Sequence, residues 1–247
     1  MTSGRTCPAL CGCEDVSGEP AGDYVVKLLG GMEDGVDGLA RELIGSRLAS
    51  YFGIAVPEPA LVTVETDFAD LVAMREPVRA EILRNSVGLN FGSRQLSGVT
   101  GWPVDKPIPE AMLPAAVTIF AFDALLQNTD RQFHNQNLFT RGNEIVVFDH
   151  ELSFFLLDVA ATTTPWRLDS QAYLTEHVFY RQLKSRRLDL SGFGLALGAL
   201  CGAQMDAIIA ELPSEWNNEE VRSIEKYLRA VGNHAEEFID EVRKWLK

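Results

Sequence analysis

The densest run of polar side chains in this chain is Asn128-Thr129-Asp130-Arg131-Gln132-Phe133-His134-Asn135-Gln136-Asn137. An apolar stretch, residues 111–126, leads into it, and a second apolar run, Val146-Val147-Phe148, ends in Asp149-His150-Glu151. Asp130 and Asn135 therefore share one loop anchored at both ends by apolar elements, and Asp149 closes an apolar strand. Two carboxylates and a carboxamide make an oxygen-rich pocket. That donor set suits Mg²⁺, which takes few protein oxygens and fills its shell with phosphate and water. Phosphoryl transfer needs such a metal, a group that orients the attacking hydroxyl, and a cation on the nucleotide phosphates.

The elements that must position these residues can be read from hydrophobic period and turn chemistry. Residues 8–13 and 24–29 read as a strand hairpin across a Gly/Pro-rich turn. Asp37 is expected to cap a helix running to about residue 52, with Leu39, Ala40, Leu43, Ile44 and Leu48 on its apolar face, and Gly53 ends it. Strands are expected at 60–65 and 87–96, with helical or irregular chain at 68–83. Residues 97–109, rich in glycine and proline, form a connector. A helix at 110–127, apolar nearly all round, should be central and buried. Strands at 137–140 and 144–148 pair across Arg141-Gly142-Asn143. Helices fit 170–184, 202–212, 218–231 and 233–246. The result is a β-rich lobe, residues 1–97, and a helical lobe, residues 98–247, with a ligand cleft between them.

In protein kinases the base and the metal-binding amide are spaced Asp-x4-Asn, and a second metal-binding Asp follows a short hairpin. Asp130, Asn135 and Asp149 match that arrangement. Asn128-Thr129-Asp130-Arg131 with Asn135, Asn137-Leu138 and Phe148-Asp149-His150 resembles the HipA-like kinase family, in its short stand-alone branch. Tyr24-Val25-Val26-Lys27 resembles that family's nucleotide-lysine strand. Glu42-Leu43-Ile44-Gly45-Ser46-Arg47-Leu48-Ala49, then Gly53-Ile54-Ala55-Val56-Pro57-Glu58-Pro59, resembles its first helix and exit strand. Gly88-Leu89-Asn90-Phe91-Gly92-Ser93-Arg94 resembles the strand before its hinge, and Leu212-Pro213-Ser214-Glu215-Trp216 a late segment.

The resemblance implies an α+β, two-lobed protein-kinase-like fold. It implies an ATP- and Mg²⁺-dependent kinase that passes the γ-phosphoryl group to a hydroxyl, Ser or Thr of a protein. Asp130 would orient the acceptor hydroxyl, and Asn135 and Asp149 would hold the metal, with Asn137 a weaker alternative. Lys27 would meet the nucleotide phosphates, Glu42 would pair with Lys27, and Arg94-Gln95-Leu96 would present backbone groups to adenine. Arg131 is expected to steady the loop or a phosphate, and His134 and His150 to flank the pocket without binding metal. An antitoxin-type protein partner is implied as well. The chain also departs from the kinase pattern. Asn128 stands where protein kinases carry His, His150-Glu151 replaces Phe-Gly, and no G-x-G-x-x-G is present, which leaves Gly4-Arg5-Thr6, Gly30-Gly31 or nothing well ordered to cover phosphates. These departures keep two alternatives in play: a nucleotide-binding pseudokinase, and a lipid or small-molecule kinase.

Composition narrows the remaining classes. The 247 residues include 22 Lys+Arg and 35 Asp+Glu, a formal net charge of −13, with 46% hydrophobic residues. A disordered chain, a collagen-like repeat and a small disulfide scaffold are excluded. The acidity argues against direct nucleic-acid binding. The longest apolar stretch is interrupted by Pro114 and Asp123 and is too short to span a bilayer. With no signal peptide, a cytoplasmic protein with reduced thiols is expected. Cys7, Cys11 and Cys13 have no standard zinc spacing, and read best as compact apolar residues of a half-buried strand.

Overall fold

The computed structural model describes residues 8–103, 106–157 and 164–247. Cys7 and Gly4-Arg5-Thr6 lie outside the described residues. Ala9–Glu14 (β1) and Pro20–Lys27 (β2) form the expected antiparallel hairpin, Cys11 lying opposite Tyr24. Pro59–Val64 (β3) and Gly88–Arg94 (β4) complete a four-stranded antiparallel sheet in the order β1-β2-β4-β3. Alternation on β1 puts Cys11 and Cys13 on one half-buried face. They pack against a small core of Tyr24, Val26, Leu28, Val64, Ala69, Ala73 and Leu83. The last three belong to the two helices that fill the 68–83 region, Thr66–Arg75 (α2) and Ala80–Arg84 (α3).

On the other face of the sheet lies Val36–Tyr51 (α1). Asp37 does not cap it: Gly35 takes the N-cap position at φ 55° with no side-chain bond. Asp37 falls inside the first turn and instead accepts a hydrogen bond from Asn218 Nδ2. Helix α1 is buried from Gly38 to Ala49 except at Arg47, because its far side packs against the helical lobe. Ion pairs Arg41–Glu220 (3.2 Å) and Arg47–Glu211 (2.6 Å), and a bond from Tyr51 Oη to the Ala196 carbonyl (2.8 Å), tie it there.

The connector is docked rather than free. Thr100–Gly101 (β5) pairs with Leu138–Arg141 (β6), which pairs with Glu144–Val147 (β7), making a second sheet. Trp102 beside it is buried edge-on against Phe179. The first sheet ends at Arg94 and the second begins at Thr100, on either side of residue 97. The apolar core does not divide there: Leu39, Ile44 and Leu48 of α1 belong to one cluster with Phe120, Leu125, Val147 and Leu228.

Leu113–Leu125 (α4) is the central helix, with Ile119, Phe120, Ala121, Phe122, Asp123, Ala124 and Leu125 fully buried. The helix expected over 170–184 is broken. A 3-10 turn, Ala172–Glu176, and a short helix, Tyr180–Leu183 (α5), flank an extended His177. Tertiary contacts override local propensity here, because this stretch pairs with the polar loop at 131–133. Ser191–Ala199 (α6) was not expected, since Gly192, Gly194 and Gly198 weaken it as a helix. Packing explains it: a Cβ on Gly194 would sit 3.2 Å from Ile239. Ala203–Ala210 (α7), Glu219–Gly232 (α8) and Ala235–Trp245 (α9) match the expected helices, and Asn218 caps α8 through Val221 N–H (3.2 Å). No single helix is long and apolar enough to cross a membrane among the described residues.

Candidate functional site

Lys27 ends β2 and sits opposite Phe91 of β4, where the sheet faces α1. Its ammonium is bonded to Glu42 on α1, to Asp149 Oδ1 at 2.7 Å and to Glu151 Oε2 at 3.1 Å. Glu42 and Glu151 are buried, and Asp149 is half-buried. The second oxygen of Glu42 accepts the His150 backbone N–H at 3.1 Å. Helix α1 thus grips the post-β7 turn through one carboxylate. The Val147 N–H bonded to the Ala55 carbonyl (2.9 Å) fixes the same turn from the exit of α1. Asp149 itself is left-handed, φ 63°, a conformation Asp tolerates better than most residues.

Ligand oxygens of Glu42, Asp149 and Glu151 lie within 4.8 Å of one another. Three carboxylates against one ammonium leave two formal negative charges, which a divalent cation would balance. Burial pushes the Glu42 carboxyl up to about 7 against the pull of Lys27. Burial also raises Glu151, with Lys27 opposing. Burial alone would lift Asp149 as well, but Lys27 outweighs it and holds the carboxyl below its ordinary range. Burial works to lower Lys27, yet the surrounding carboxylates hold it well above the ordinary lysine range. The donors are all oxygen, the chemistry of a hard cation.

The polar loop is held from below by a buried network. Asp123, on α4, accepts from Arg131 Nε (2.7 Å), His177 Nε2 (3.0 Å apart) and Asn128 Nδ2 (3.0 Å). Burial pushes the Asp123 carboxyl up, but Arg131 and His177 prevail and leave it below the usual range. Arg131 also donates to the carbonyls of Asn137 (2.6 Å) and Phe148 (3.2 Å). It therefore ties the loop to both strands of the hairpin and steadies the backbone rather than facing the cleft. Asp130 is placed by the Asn128 side chain, which accepts its N–H at 3.0 Å.

Asp130 Oδ2 accepts from Asn137 Nδ2 at 2.8 Å. Asn135 is exposed, its backbone paired both ways with Gln132 (2.9 and 3.2 Å) in a tight turn. Of the two amides, Asn137 is the one joined to Asp130. Glu151, which motif spacing did not single out, joins Lys27, and its position two residues past Asp149 was the available signal. His134 is exposed. His150 is buried edge-on to Phe122 at 5.9 Å, its two ring nitrogens without hydrogen-bond partners among the described residues.

A cleft of about 140 Å³ opens beside Lys27, Glu42 and Asp149, with Val25, Val56, Pro57, Phe91 and Phe148 on its apolar walls. Arg94, Gln95 and Leu96 are not among its lining residues. The N–H groups of Arg94 and Gln95 are bonded to the Glu58 and Asp23 carbonyls, both at 2.9 Å. The Arg94 guanidinium pairs with Glu58 at 2.8 Å over the Tyr24 ring. The N–H groups of Gly30 and Gly31 are also spent within the lobe, on Ser86 Oγ and the Leu28 carbonyl.

The HipA-like kinase family model matches residues 1–243, nearly the whole chain. No curated protein matches it.

Proposed function

The chain belongs to the HipA-like kinase family, and from that premise we propose an ATP- and Mg²⁺-dependent kinase that phosphorylates Ser or Thr hydroxyls of a protein. The carrying observation is that one ammonium, Lys27, is bonded at once to Glu42 of α1 and to Asp149 beyond the hairpin. That contact joins the phosphate-binding cation to the metal-binding carboxylate across the cleft. The apolar walls beside it suit a purine ring, and backbone contact to adenine from Arg94, Gln95 or Leu96 rests on the family resemblance. When bound, Mg²⁺ supplies positive charge against the phosphates.

In this reading Asp130 orients the acceptor hydroxyl and takes its proton. Asn137 fixes the Asp130 carboxylate and is favoured as the amide ligand, while Asn135 is favoured only by its spacing. Asp149 holds the metal, with Glu151 beside it. Lys27 meets phosphate, and Glu42 holds it in place. A cytoplasmic setting and an antitoxin-type partner belong to the same proposal and are supported by family membership alone.

The test is transfer from γ-labelled ATP with Mg²⁺, to the chain itself and to protein and lipid acceptor panels. Asp130→Ala and Asp149→Ala should each lower transfer on the order of 10³-fold with the fold retained. Transfer by Asp149→Ala at the wild-type rate sinks the assignment. Thermal stabilisation by Mg·ATP with no transfer to any acceptor points to a pseudokinase instead.

A further inference from the structure

Beside the polar loop lies a second cavity, of about 120 Å³, lined by Phe133, Thr175, Glu176, His177, Val178, Arg181 and Gln182. It is room for one apolar side chain. Its wall is the broken stretch 172–183, stitched to the loop that carries Asp130. Phe133 N–H donates to the Glu176 carbonyl (3.1 Å), and Val178 N–H to the Arg131 carbonyl (3.2 Å). Phe133 is exposed at the mouth, with the Arg181 guanidinium 5.8 Å above its ring.

Arg181 lines this cavity, and Lys184 follows it three residues along the same stretch. Lys106, Arg181 and Lys184 are all exposed. The Lys106 carbonyl accepts from Gln182 of the same wall at 3.2 Å. None of these three has an ion-pair partner among the described residues, which leaves their charge available to a ligand, as is also true of Arg75, Arg222, Lys226 and Lys247 elsewhere. Nearby acids are partly spoken for: Glu110 pairs with Arg186, and Asp189 accepts the Ser191 N–H. Glu176 is the carboxylate at the rim. In a chain of formal charge −13, unpaired cations on and next to one cavity wall favour an anionic partner.

Building on the kinase reading, we propose that this face docks the acceptor as an acidic polypeptide segment. One apolar side chain enters the Phe133–Val178 cavity, and flanking Asp or Glu residues meet Arg181, Lys184 and Lys106. The contacts between 131–133 and 176–178 then carry the docked segment alongside Asp130. Charge complementarity carries the choice of occupant, and Phe133 and Val178 add the apolar anchor.

Fluorescence anisotropy on the full chain tests this without turnover. The probes are labelled peptides holding a single Ser and one Leu, flanked by Asp/Glu, by Gln or by Lys. The acidic peptide should bind tightest and weaken as salt rises. Arg181→Glu with Lys184→Glu should weaken it about 10-fold, and Arg181→Lys much less. Both variants should unfold at the wild-type midpoint, since the side chains are exposed. Equal binding of the Gln and Asp/Glu peptides, or no effect of the reversal, overturns the proposal. So does tighter binding of a single-stranded oligonucleotide through the same residues, or binding of none of the peptides. Failure of phosphate transfer with acidic-peptide binding intact counts against the kinase reading and leaves the docking surface standing.

Discussion

Asn137 Nδ2 donates to Asp130 Oδ2 at 2.8 Å, although Asn135 is the residue with the Asp-x4-Asn spacing. The chain between them explains the choice. Gln132 and Asn135 close a tight turn that carries Asn135 out to solvent. Asn137, left-handed at φ 46°, stands at the mouth of β6, its carbonyl held by Arg131. A loop residue joined to a strand inherits the rigidity of the strand, whereas a turn residue does not.

Asn137→Ala is therefore expected to reduce phosphotransfer on the order of 10²-fold or more, while Asn135→Ala stays within about 10-fold of wild type. Single-turnover rates with labelled ATP check this. The reverse ranking returns the amide role to Asn135.

Arg131 and Asp123 form an ion pair with no exposed side-chain surface on either partner. Removing one leaves an uncompensated buried charge. Arg131→Leu should cost about 3–5 kcal/mol in urea unfolding. A loss below about 1 kcal/mol, within the range of an exposed pair, contradicts the buried-network account.

Gly45 lies where α1 crosses the post-β7 turn, and a Cβ there would sit 2.5 Å from the His150 Cβ. In an open helix, Gly→Ala gains about 1 kcal/mol. Here Gly45→Ala should instead destabilise by about 1–3 kcal/mol, because the overpacked backbone must shift. Since the shift moves Glu42 away from the His150 N–H, transfer should fall with stability. A stabilised, fully active variant refutes this.

Glu220 faces Arg41, Asp37 and Asp34, and burial together with the two aspartates pushes its carboxyl up to about 7. An acid whose folded pKa is raised contributes stability below its unfolded value of 4.5. That contribution is lost as pH rises through about 7. Relative to wild type, Glu220→Gln should therefore gain stability between pH 5 and pH 8. Urea midpoints at several pH values measure it, and a difference that is flat in pH rules it out.

The strands of the first sheet, the all-round apolar helix and the hairpin were legible because local apolar pattern and turn residues mark each of them. Glu42 was not resolved by its helical angle, about 60° off the apolar stripe. Its burial depends on a second lobe covering the far side of α1. The break in the 170–184 helix was hidden for the same reason: His177 leaves the helix to reach Asp123, fifty-four positions earlier.

Residue types and spacing in the sequence singled out Asp130 and Asp149 as one oxygen-rich group, and the family resemblance added Lys27. The Lys27–Glu42 pair expected from the resemblance is present, and only the tertiary structure decided that Glu151 joins Lys27 and that Asn137 meets Asp130. Local pattern reports which faces are apolar, because hydrophobic burial is set residue by residue along each element. A polar contact is decided by which distant element arrives opposite, since a buried charge takes the partner that packing brings to it.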